Sequence, residues 1–584
     1  TELKLDFVGL LIPALLLLAV GLVVMRVFPW FALLLSRLAG PVAPSWLVHS
    51  LRHVARDPIV PGILIVLLTM STALGVIGSA FSSTLERSQK ERALYSAGAD
   101  LRVRHIGVSS VKPGGRFAEY VAENSAVVSA ADVFRTNGQI TSTGFSDPAV
   151  ILAVDSAEIA DVAWFRDDLA DGKSMSDLAE LLGDGPEAPQ GLELPDDVIG
   201  LSAWVQPTGL DGGANLWARL RDANGVYFDT WVGTLGNQGW NKIQSDLSPV
   251  IAAGRRLVND TRRGTLVRPF TLQAFQVTNR LGGFGSNGLG AIFLGKLEAV
   301  TTSGPVLLAD FESSDGWSVV EDFSRPGLYA LETSGSAGGG QFPVSTRFSW
   351  ASGGVGLRGL RPGPTEAPIA AVVNSEFLEL ADAGMGDDVI LGLSTYSIRV
   401  NVVGVADYFP TLDPGDKPFV VLDLDSLEAV ANQHSPVPMA GANEIWVNLE
   451  SFSADMPDDF DQTGAVGDAD NVAAFMRELG VNIRDVYDAE EMVVSRVDQP
   501  LVNAGWGALL VLLFLAVALA TGSGVMLFSF LDTKERQTEF ALLRTLGSTG
   551  GQMRGIVWFN LFLIVICGVA LGTWVGQLIG SSLL

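Results

Sequence analysis

The stretch DTKERQTEFALLRTLGSTGGQMR, residues 532–554, is a charged segment between two uncharged runs, residues 499–531 and 555–584. Each run is longer than the roughly 20 apolar residues that cross the hydrocarbon core of a bilayer. A polypeptide in lipid has to satisfy its own backbone hydrogen bonds, so the two runs predict a helical hairpin that spans a membrane. The charged stretch then connects the two helices outside the bilayer, where another protein can reach it.

Two more uncharged runs of spanning length lie near the start of the chain, at residues 7–25 and 58–85. The segment between them is basic, and its apolar residues Leu47, Leu51 and Val54 recur at helical spacing. This pattern favours an amphipathic helix that lies in the membrane interface. The whole chain is therefore predicted to have about four transmembrane helices.

Composition excludes several classes of function. The formal net charge is −26 at pH 7, and residues 84–500 hold many more acidic than basic side chains. Nucleic acid is therefore not expected as a partner, because phosphate backbones bind basic surfaces. Cys567 is the single cysteine, so no disulfide forms within the chain. The phosphate-binding motif G-x-x-x-x-G-K-S/T is missing, which predicts that any nucleotide chemistry belongs to a partner. We expect no cofactor, no catalytic residue and no enzymatic activity.

The short loops predict which side of the membrane each segment occupies, because cytoplasmic loops carry an excess of Lys and Arg. Residues 26–57 contain four arginines and one aspartate, and residues 532–554 contain four basic and three acidic residues. Both loops are therefore predicted to be cytoplasmic. Residues 86–498 then form one extracytoplasmic block, and the location of the chain is a cell (plasma) membrane.

The block 86–498 is predicted to be a large α/β domain with an insertion. Short strands and helices, such as the strand DLRVRH and the helix RFAEYVAEN, occupy its two ends. Its middle, residues 186–353, is rich in glycine and tryptophan and has strand-length segments at short spacing. Asn224-Gly225 predicts a tight hairpin turn there. We interpret residues 186–353 as a β-sandwich, jelly-roll-like, inserted into the α/β domain.

Within residues 532–554, Phe540, Leu543 and either Leu546 or Gly547 share one face of a helix. Gly547 is also a natural end for that helix. The pattern predicts a short amphipathic helix, and packing in the membrane interface would explain it without any partner.

Two pairs of polar residues support this interpretation. Arg536 and Glu539 are three residues apart and can pair on the helix surface. Thr549 and Gln552 form a capping-box pattern, which predicts that the last spanning helix begins at this point.

Three stretches resemble the FtsX-like, MacB-type permeases of ATP-binding-cassette (ABC) transporters. KERQTEFALLRTLGSTGGQM is similar to the signature after the second permease helix, and LRHVARDPIVPGILIVLLTMSTALGV is similar to the entry into the first. VNSEFLELADAGMGDDVILGL together with IRVNVVGVADYFPTL looks like the extracellular core of such permeases. The resemblance implies a coupling helix that docks on a cytoplasmic ABC ATPase. Its residues would be Glu535, Arg536, Glu539, Leu543, Arg544 and Gly547.

The chain departs from that family pattern in its helix count. The family's permease unit has four helices, and residues 58–85, 499–531 and 555–584 supply three of them. The helix at 7–25 would then belong to a preceding repeat. We interpret the chain as the second half of a duplicated permease that is truncated at its C-terminal end.

The predicted insertion contains Trp204, Trp217, Trp231 and Trp240 with acidic residues near them. It resembles carbohydrate-binding, galactose-binding-like modules, and aromatic faces of this kind stack on sugar rings. Large aromatic residues in a sandwich also serve as core, so both interpretations stay open. A structural calcium at Asp310 and Glu312 is a further alternative, and no other metal site is expected.

These observations lead to one main functional hypothesis. The chain is a permease subunit that relays ATP hydrolysis by a partner to its outer domain, for export of a lipid-linked or hydrophobic substrate or for mechanotransmission. The alternative is a membrane-anchored glycan-binding or adhesion protein without transport. Expected partners are the cytoplasmic ATPase, the bilayer, and a glycan or envelope protein outside.

The sequence divides into nine predicted segments. Transmembrane helices are predicted at 1–29, 58–85, 499–531 and 555–584, with cytoplasmic segments at 30–57 (the linker) and 532–554 (the coupling loop). The α/β domain occupies 86–185 and 354–498 around the insertion at 186–353.

Overall fold

A computed structural model describes most of the chain. The described residues are 7–39, 44, 47–48, 51–52, 56, 59–106, 116–141, 146–170, 172–185, 191–210, 214–236, 239–247, 266–279, 289–335, 341–351, 358–393, 395–413, 417–436, 438–439, 441–450, 465–479, 483–497, 500–535, 537–545 and 549–583.

The described residues include both very long and very short helices. These are α1 (Phe7–Ala39), α2 (Ile59–Ala97), α3 (Phe117–Val121), α4 (Ile159–Val162), α5 (Met175–Gly183), α6 (Ser375–Ala381), α7 (Leu424–His434), α8 (Ala465–Glu478), α9 (Ala489–Val497), α10 (Pro500–Glu535), α11 (Gln537–Thr545) and α12 (Gly550–Leu583), with a 3-10 turn at Asp167–Leu169.

The chain divides into a helical unit, Thr1–Glu91 with Val494–Leu584, and a β-rich unit, Arg92–Val493. Within the described part of the chain, four helices are long and apolar enough to cross a membrane. Their apolar spans are Gly21–Leu38, Pro61–Ala97, Phe514–Glu535 and Gly550–Ser581. The predicted combination of about four spanning helices with a large extramembrane domain is confirmed at this level.

Helix boundaries differ from the predicted ones at α1. This helix continues through Ala39, whereas the sequence placed the end of the first transmembrane segment at residue 29. Residues 30–39, WFALLLSRLA, contain no glycine or proline and are mostly good helix formers, so nothing in them ends the helix.

Helix α2 runs without interruption for 39 residues, far beyond its apolar run. At 1.5 Å per residue this is about 58 Å, almost twice the thickness of a bilayer core. The helix ends at Gly98, whose φ of 89° is costly for residues with a side chain. The Gly98 amide donates to the Leu94 carbonyl at 2.8 Å. Leu94, Tyr95 and Ala97, in the last turn, are buried.

Nine strands of the β-rich unit form one mixed sheet in the order β17-β18-β16-β19-β3-β2-β20-β1-β21. They are β1 (Leu101–Arg104), β2 (Val127–Thr141), β3 (Ser146–Val154), β16 (Ile369–Val373), β17 (Asp388–Leu393), β18 (Tyr396–Val405), β19 (Phe419–Asp423), β20 (Glu444–Leu449) and β21 (Asp485–Asp488). The pairs β16–β18 and β19–β3 are parallel.

Helices cover this sheet on both faces. One core contains Phe377 of α6 and Leu427 of α7, and a second contains Ile159 of α4 and Leu178 of α5. A third, smaller core lies under α3 and α8. The two ends of this block therefore contain both strands and helices, which pack on one another.

The strands between β3 and β16 in the chain belong to two other six-stranded antiparallel sheets. One contains β5 (Val198–Thr208), β8 (Asn241–Gln244), β10 (Gly290–Thr301), β11 (Gly304–Ala309), β13 (Tyr329–Gly335) and β14 (Val344–Trp350). The other contains β4 (Leu192–Glu193), β6 (Ala214–Arg221), β7 (Tyr227–Leu235), β9 (Thr271–Asn279), β12 (Trp317–Val319) and β15 (Arg358–Pro362).

The two sheets share one hydrophobic core, to which Leu201 and Ile292 of the first sheet and Phe228 and Phe275 of the second contribute. We call residues 192–362 the two-sheet insert. The hairpin between β6 and β7 has Gly225 with φ 79°, as the Asn-Gly pair predicts. The strand order of the two sheets does not establish the predicted jelly-roll fold.

A buried ionic joint connects the two-sheet insert to α7. Arg219 on β6 is fully buried, and its Nε and Nη2 donate to the two carboxylate oxygens of Asp229 at 2.7 and 2.9 Å. Its Nη1 donates to the carbonyls of Asn432 and Ser435, both at 2.7 Å. A cation at the C-terminal end of a helix satisfies carbonyls that have no partner within the helix.

A second buried arginine completes the joint. Arg361 on β15 donates to the Gln433 side chain and the Pro364 carbonyl, and its Nη2 lies 2.9 Å from Oε2 of Glu366. The other carboxylate oxygen of Glu366 bonds to Nε2 of His434. Arg361 and Glu366 are buried and carry opposite charges, so removal of either one would leave an uncompensated charge in the protein interior.

Candidate functional site

The helical unit contains a short helix between two long ones at the position of the predicted charged loop. Helix α10 continues through Glu535, α11 occupies Gln537–Thr545, and α12 begins at Gly550. The predicted short helix between the two spanning helices is therefore present, and both spanning helices extend into the segment predicted as a loop.

Helix α11 exposes a mixed surface. Glu539 and Arg544 are exposed, as is Glu535 at the end of α10. Leu542, which sequence reasoning did not select, is 64% exposed. It lies outside the candidate membrane spans. A single exposed leucine is ordinary on a protein surface, and a helix in the membrane interface would also present one to the bilayer.

Not all predicted residues of this site can be placed. Arg536 and Gly547 lie outside the described residues, as does Leu546, so the predicted Arg536–Glu539 pair stays a prediction. Leu543 lies within the α11 backbone, where its side chain is not described.

The start of α12 has the predicted capping box. The Thr549 amide donates to the Gln552 side chain at 2.9 Å, and the Gln552 amide donates to Oγ1 of Thr549 at 3.4 Å. These two bonds satisfy backbone groups that have no partner at a helix N-terminus. The first turn of α12 is thus capped.

Helix α12 packs closely on α2 through a row of glycines four residues apart. A side chain at any of the first three would collide with α2, since a Cβ at Gly576 would lie 2.8 Å from Cβ of Val76. Close backbone approach through small residues is a common way for helices to associate in lipid. The facing pairs are Gly568 with Leu68, Gly572 with Thr72, Gly576 with Val76, and Gly580 with Ala80.

The four tryptophans of the two-sheet insert form two separate groups. Trp204 and Trp240 both pack on Phe342, with ring centroids 5.9 and 4.6 Å away. Trp217 and Trp231 are cross-strand neighbours on β6 and β7, which belong to the other sheet.

Strand alternation places Trp204 and Trp217 on outer faces. Trp204 alternates with core residues Ala203 and Val205, and Trp217 lies between core residues Leu216 and Ala218. Trp231, opposite Trp217, is 49% exposed. The structure therefore does not unite all four tryptophans in one sugar site.

The proposed calcium ligands have a local structural role. Asp310 accepts a hydrogen bond from the Glu312 amide at 3.1 Å, which stabilises the turn around Phe311. In the part of the chain that the structure describes, no three His, Cys, Asp or Glu side chains form a metal-binding group.

The four candidate spans, the short α11 and the extramembrane domain define a multi-helix membrane protein. A family model described as "FtsX-like permease C-terminal" matches residues 511–584, which include most of α10, all of α11 and α12. Residues 511–584 are therefore similar to the C-terminal part of FtsX-like permeases. No curated protein matches the chain.

Proposed function

We propose that this chain is the membrane subunit of an ABC-transporter-type complex and that α11, with its flanking residues, docks on a cytoplasmic ATPase. One observation carries this proposal: a short helix with exposed Glu539, Leu542 and Arg544 joins two long apolar helices inside the region of the family match. Glu535, Arg536, Leu543 and Gly547 complete the proposed docking surface.

The same match favours a transporter subunit over a membrane-anchored glycan-binding or adhesion protein. ATP hydrolysis by the partner moves α11, and the capped turn at Thr549 passes that movement to α12. Close glycine packing makes α12 and α2 move together. Helix α2 continues into the β-rich unit, where the movement acts.

The excess of basic residues in the two short loops supports a cytoplasmic α11 and an extracytoplasmic β-rich unit. Two outcomes are consistent with this coupling. One is export of a lipid-linked or hydrophobic substrate, and the other is mechanical transmission to an envelope protein.

Co-purification from the native membrane tests the docking surface. We expect the unaltered chain to recover an ATPase, detected as ATP hydrolysis by the purified complex. A double charge reversal, Arg536→Glu with Glu539→Lys, is expected to lose it because like charges then face the partner. Glu376→Lys, an exposed reversal on α6 in the other unit, is the matched control and retains the ATPase. Recovery of no ATPase by the unaltered chain would refute the proposal.

We further propose that Trp217 and Trp231 bind a sugar ring on the outer face of the two-sheet insert. The half-exposed Trp231 beside Trp217 supports this, because an exposed indole offers its face for stacking. Trp204 and Trp240 pack on Phe342 instead, so we assign them a supporting role in their own sheet.

A further inference from the structure

A pocket of about 500 Å³ opens on the β-rich unit, on the nine-stranded sheet. Strands β1, β2, β3, β19 and β20 line it, together with the turn at Phe409–Asp413. Its charged and polar side chains include the cations Arg104, Arg135 and Lys417, the amide Asn443, and the carboxylates Asp413 and Glu444. We propose that this pocket binds a small molecule through a phosphate or carboxylate group.

Positive charge exceeds negative charge around the buried carboxylate of this pocket. Glu444 accepts from Nε of Arg104 at 2.9 Å and from Nε of Arg135 at 2.7 Å. Arg102, on the same strand as Arg104, also acts on Glu444 electrostatically. One carboxylate neutralises one guanidinium, so Arg104, Arg135 and the neighbouring Arg102 outweigh Glu444 even when the second carboxylate of the lining, Asp413, is counted. Lys417 adds a further positive charge at the rim.

Protonation states at neutral pH maintain this excess. Burial would raise the pKa of Glu444, but Arg135, Arg102 and Arg104 outweigh it and lower the pKa below its usual value. Burial lowers the pKa of Arg102 to about 10, which still leaves the guanidinium charged at pH 7. The Nε of Arg102 is buried without a hydrogen-bond acceptor among the described residues.

The cations are held in place by several contacts. The side chain of Asn443 accepts from the Arg135 amide and donates to the Arg135 carbonyl, both at 2.8 Å. Arg135 Nη2 donates to Oγ1 of Thr411, and the guanidinium of Arg102 stacks 4.5 Å from the centre of the Tyr487 ring. A site with preset donors loses less entropy when a ligand binds.

The backbone is strained at two points of the pocket wall. His105 and Thr411 have φ values of 55° and 70°, in the left-handed region, and Thr411 is β-branched. Such conformations cost energy and concentrate at ligand sites. The Thr411 amide donates to the Tyr95 carbonyl at 2.8 Å, which connects the pocket wall to the last turn of α2.

The chemical class of the ligand follows from these donors. Guanidinium and ammonium groups recognise carboxylate and phosphate oxygens. The volume exceeds that of a lone phosphate and lies in the range of small-molecule sites. A soluble metabolite and a lipid headgroup can both present the same oxyanion. This site does not depend on whether the chain engages an ATPase.

Calorimetry on the full-length chain in neutral phosphatidylcholine nanodiscs tests the site. The probes are inorganic phosphate, glycerol 3-phosphate and citrate, with uncharged glycerol as the negative control. We expect at least one anion to bind, with affinity that falls as sodium chloride increases. Lys417→Gln and Arg104→Gln are expected to weaken binding by about tenfold or more, because each removes a charged donor.

Lys417 is exposed, so its substitution leaves the fold intact, and Lys296→Gln, an exposed lysine on β10, is the matched control that keeps full affinity. Nanodiscs that contain phosphatidylglycerol distinguish the two sources of the oxyanion. If the natural ligand is a lipid headgroup, phosphatidylglycerol occupies the pocket and the soluble anion no longer binds. If the natural ligand is a soluble molecule, binding of the soluble anion is unchanged. Failure of all three anions to bind, or equal binding by Lys417→Gln and the unaltered chain, would overturn the proposal.

Discussion

Protonation of Glu366 is predicted to weaken the joint between the two-sheet insert and α7. Its carboxylate lies between Arg361 and His434, and all three side chains are buried. Acid removes the negative charge and leaves a buried guanidinium without its counter-ion, which is costly. Glu366→Gln makes the same change at every pH while it preserves the size of the side chain.

The pKa of Glu366 sets the size of this effect. Burial alone would raise it from the usual 4.5, but the hydrogen bond and charge of His434 and the charge of Arg361 lower it to about 2. Because the folded-state pKa is the lower one, the stabilisation is complete above pH 4.5 and is lost as pH falls toward 2. It corresponds to about 3 kcal/mol at neutral pH, of which about 2 kcal/mol is lost by pH 3.

Urea unfolding of the full chain in detergent, followed by tryptophan fluorescence, measures this loss. The gap in unfolding free energy between the unaltered chain and Glu366→Gln should be about 2 kcal/mol smaller at pH 3 than at pH 7. Glu332→Gln, which changes an exposed carboxylate on β13, should behave like the unaltered chain at both values. An equal gap at pH 7 and pH 3 would refute the role of Glu366.

Three further changes test other parts of the structure. Gly572→Leu should force α12 away from α2 at a cost of about 1–3 kcal/mol. Cys567 should then react faster with N-ethylmaleimide, and Gly572→Ala should have a smaller effect. Unchanged labelling of Cys567 in both variants would contradict the packing of α12 on α2. Thr549→Ala should cost about 1 kcal/mol at the start of α12, measured as faster amide exchange there, whereas Thr549→Ser should retain the cap. Trp231→Ala should abolish retention on a glycan array and Trp231→Phe should largely preserve it; equal retention by both argues against stacking.

Local features of this fold were predictable from sequence because their physical cause is local. A spanning helix needs only an apolar run of sufficient length. The capping box uses Thr549 and Gln552, three residues apart, and the β6–β7 hairpin uses Asn224-Gly225. Each signal is complete within a few residues, so the sequence displays it directly.

The ionic joint and the pocket lined by Arg104, Arg135 and Glu444, which we call the oxyanion pocket, had no such signal. Arg219 bonds to the Asn432 carbonyl 213 residues away, and Arg135 bonds to Glu444 309 residues away. Only the order of strands in the sheets brings these groups together, and an isolated arginine in a strand has the same pattern whether it is exposed or paired. Leu542 was missed for a related reason, since helical periodicity does not report which apolar residue remains uncovered.

The tryptophans show an intermediate case. Alternation with Ala203 and Val205 is sufficient to place Trp204 on an outer face, so the outward orientation of this side chain follows from the sequence. The division of four tryptophans between two sheets depends on strand pairing, which joins β5 to β8 and β6 to β7. The four tryptophans share a residue type in the sequence, but the fold places them on two separate surfaces.

The continuity of α2 determines what the proposed machine can transmit. In the proposed machine, displacement of the apolar part of the continuous helix α2 would also move its last turn. Leu94 and Ala97 in that turn are buried, and the Tyr95 carbonyl holds Thr411 at the wall of the oxyanion pocket. Ligand binding and helix movement would therefore act on the same hydrogen bond, and linkage requires each to influence the other. An anion that stabilises this turn should shift ATP hydrolysis in the assembled complex, even though it binds far along the chain from α11.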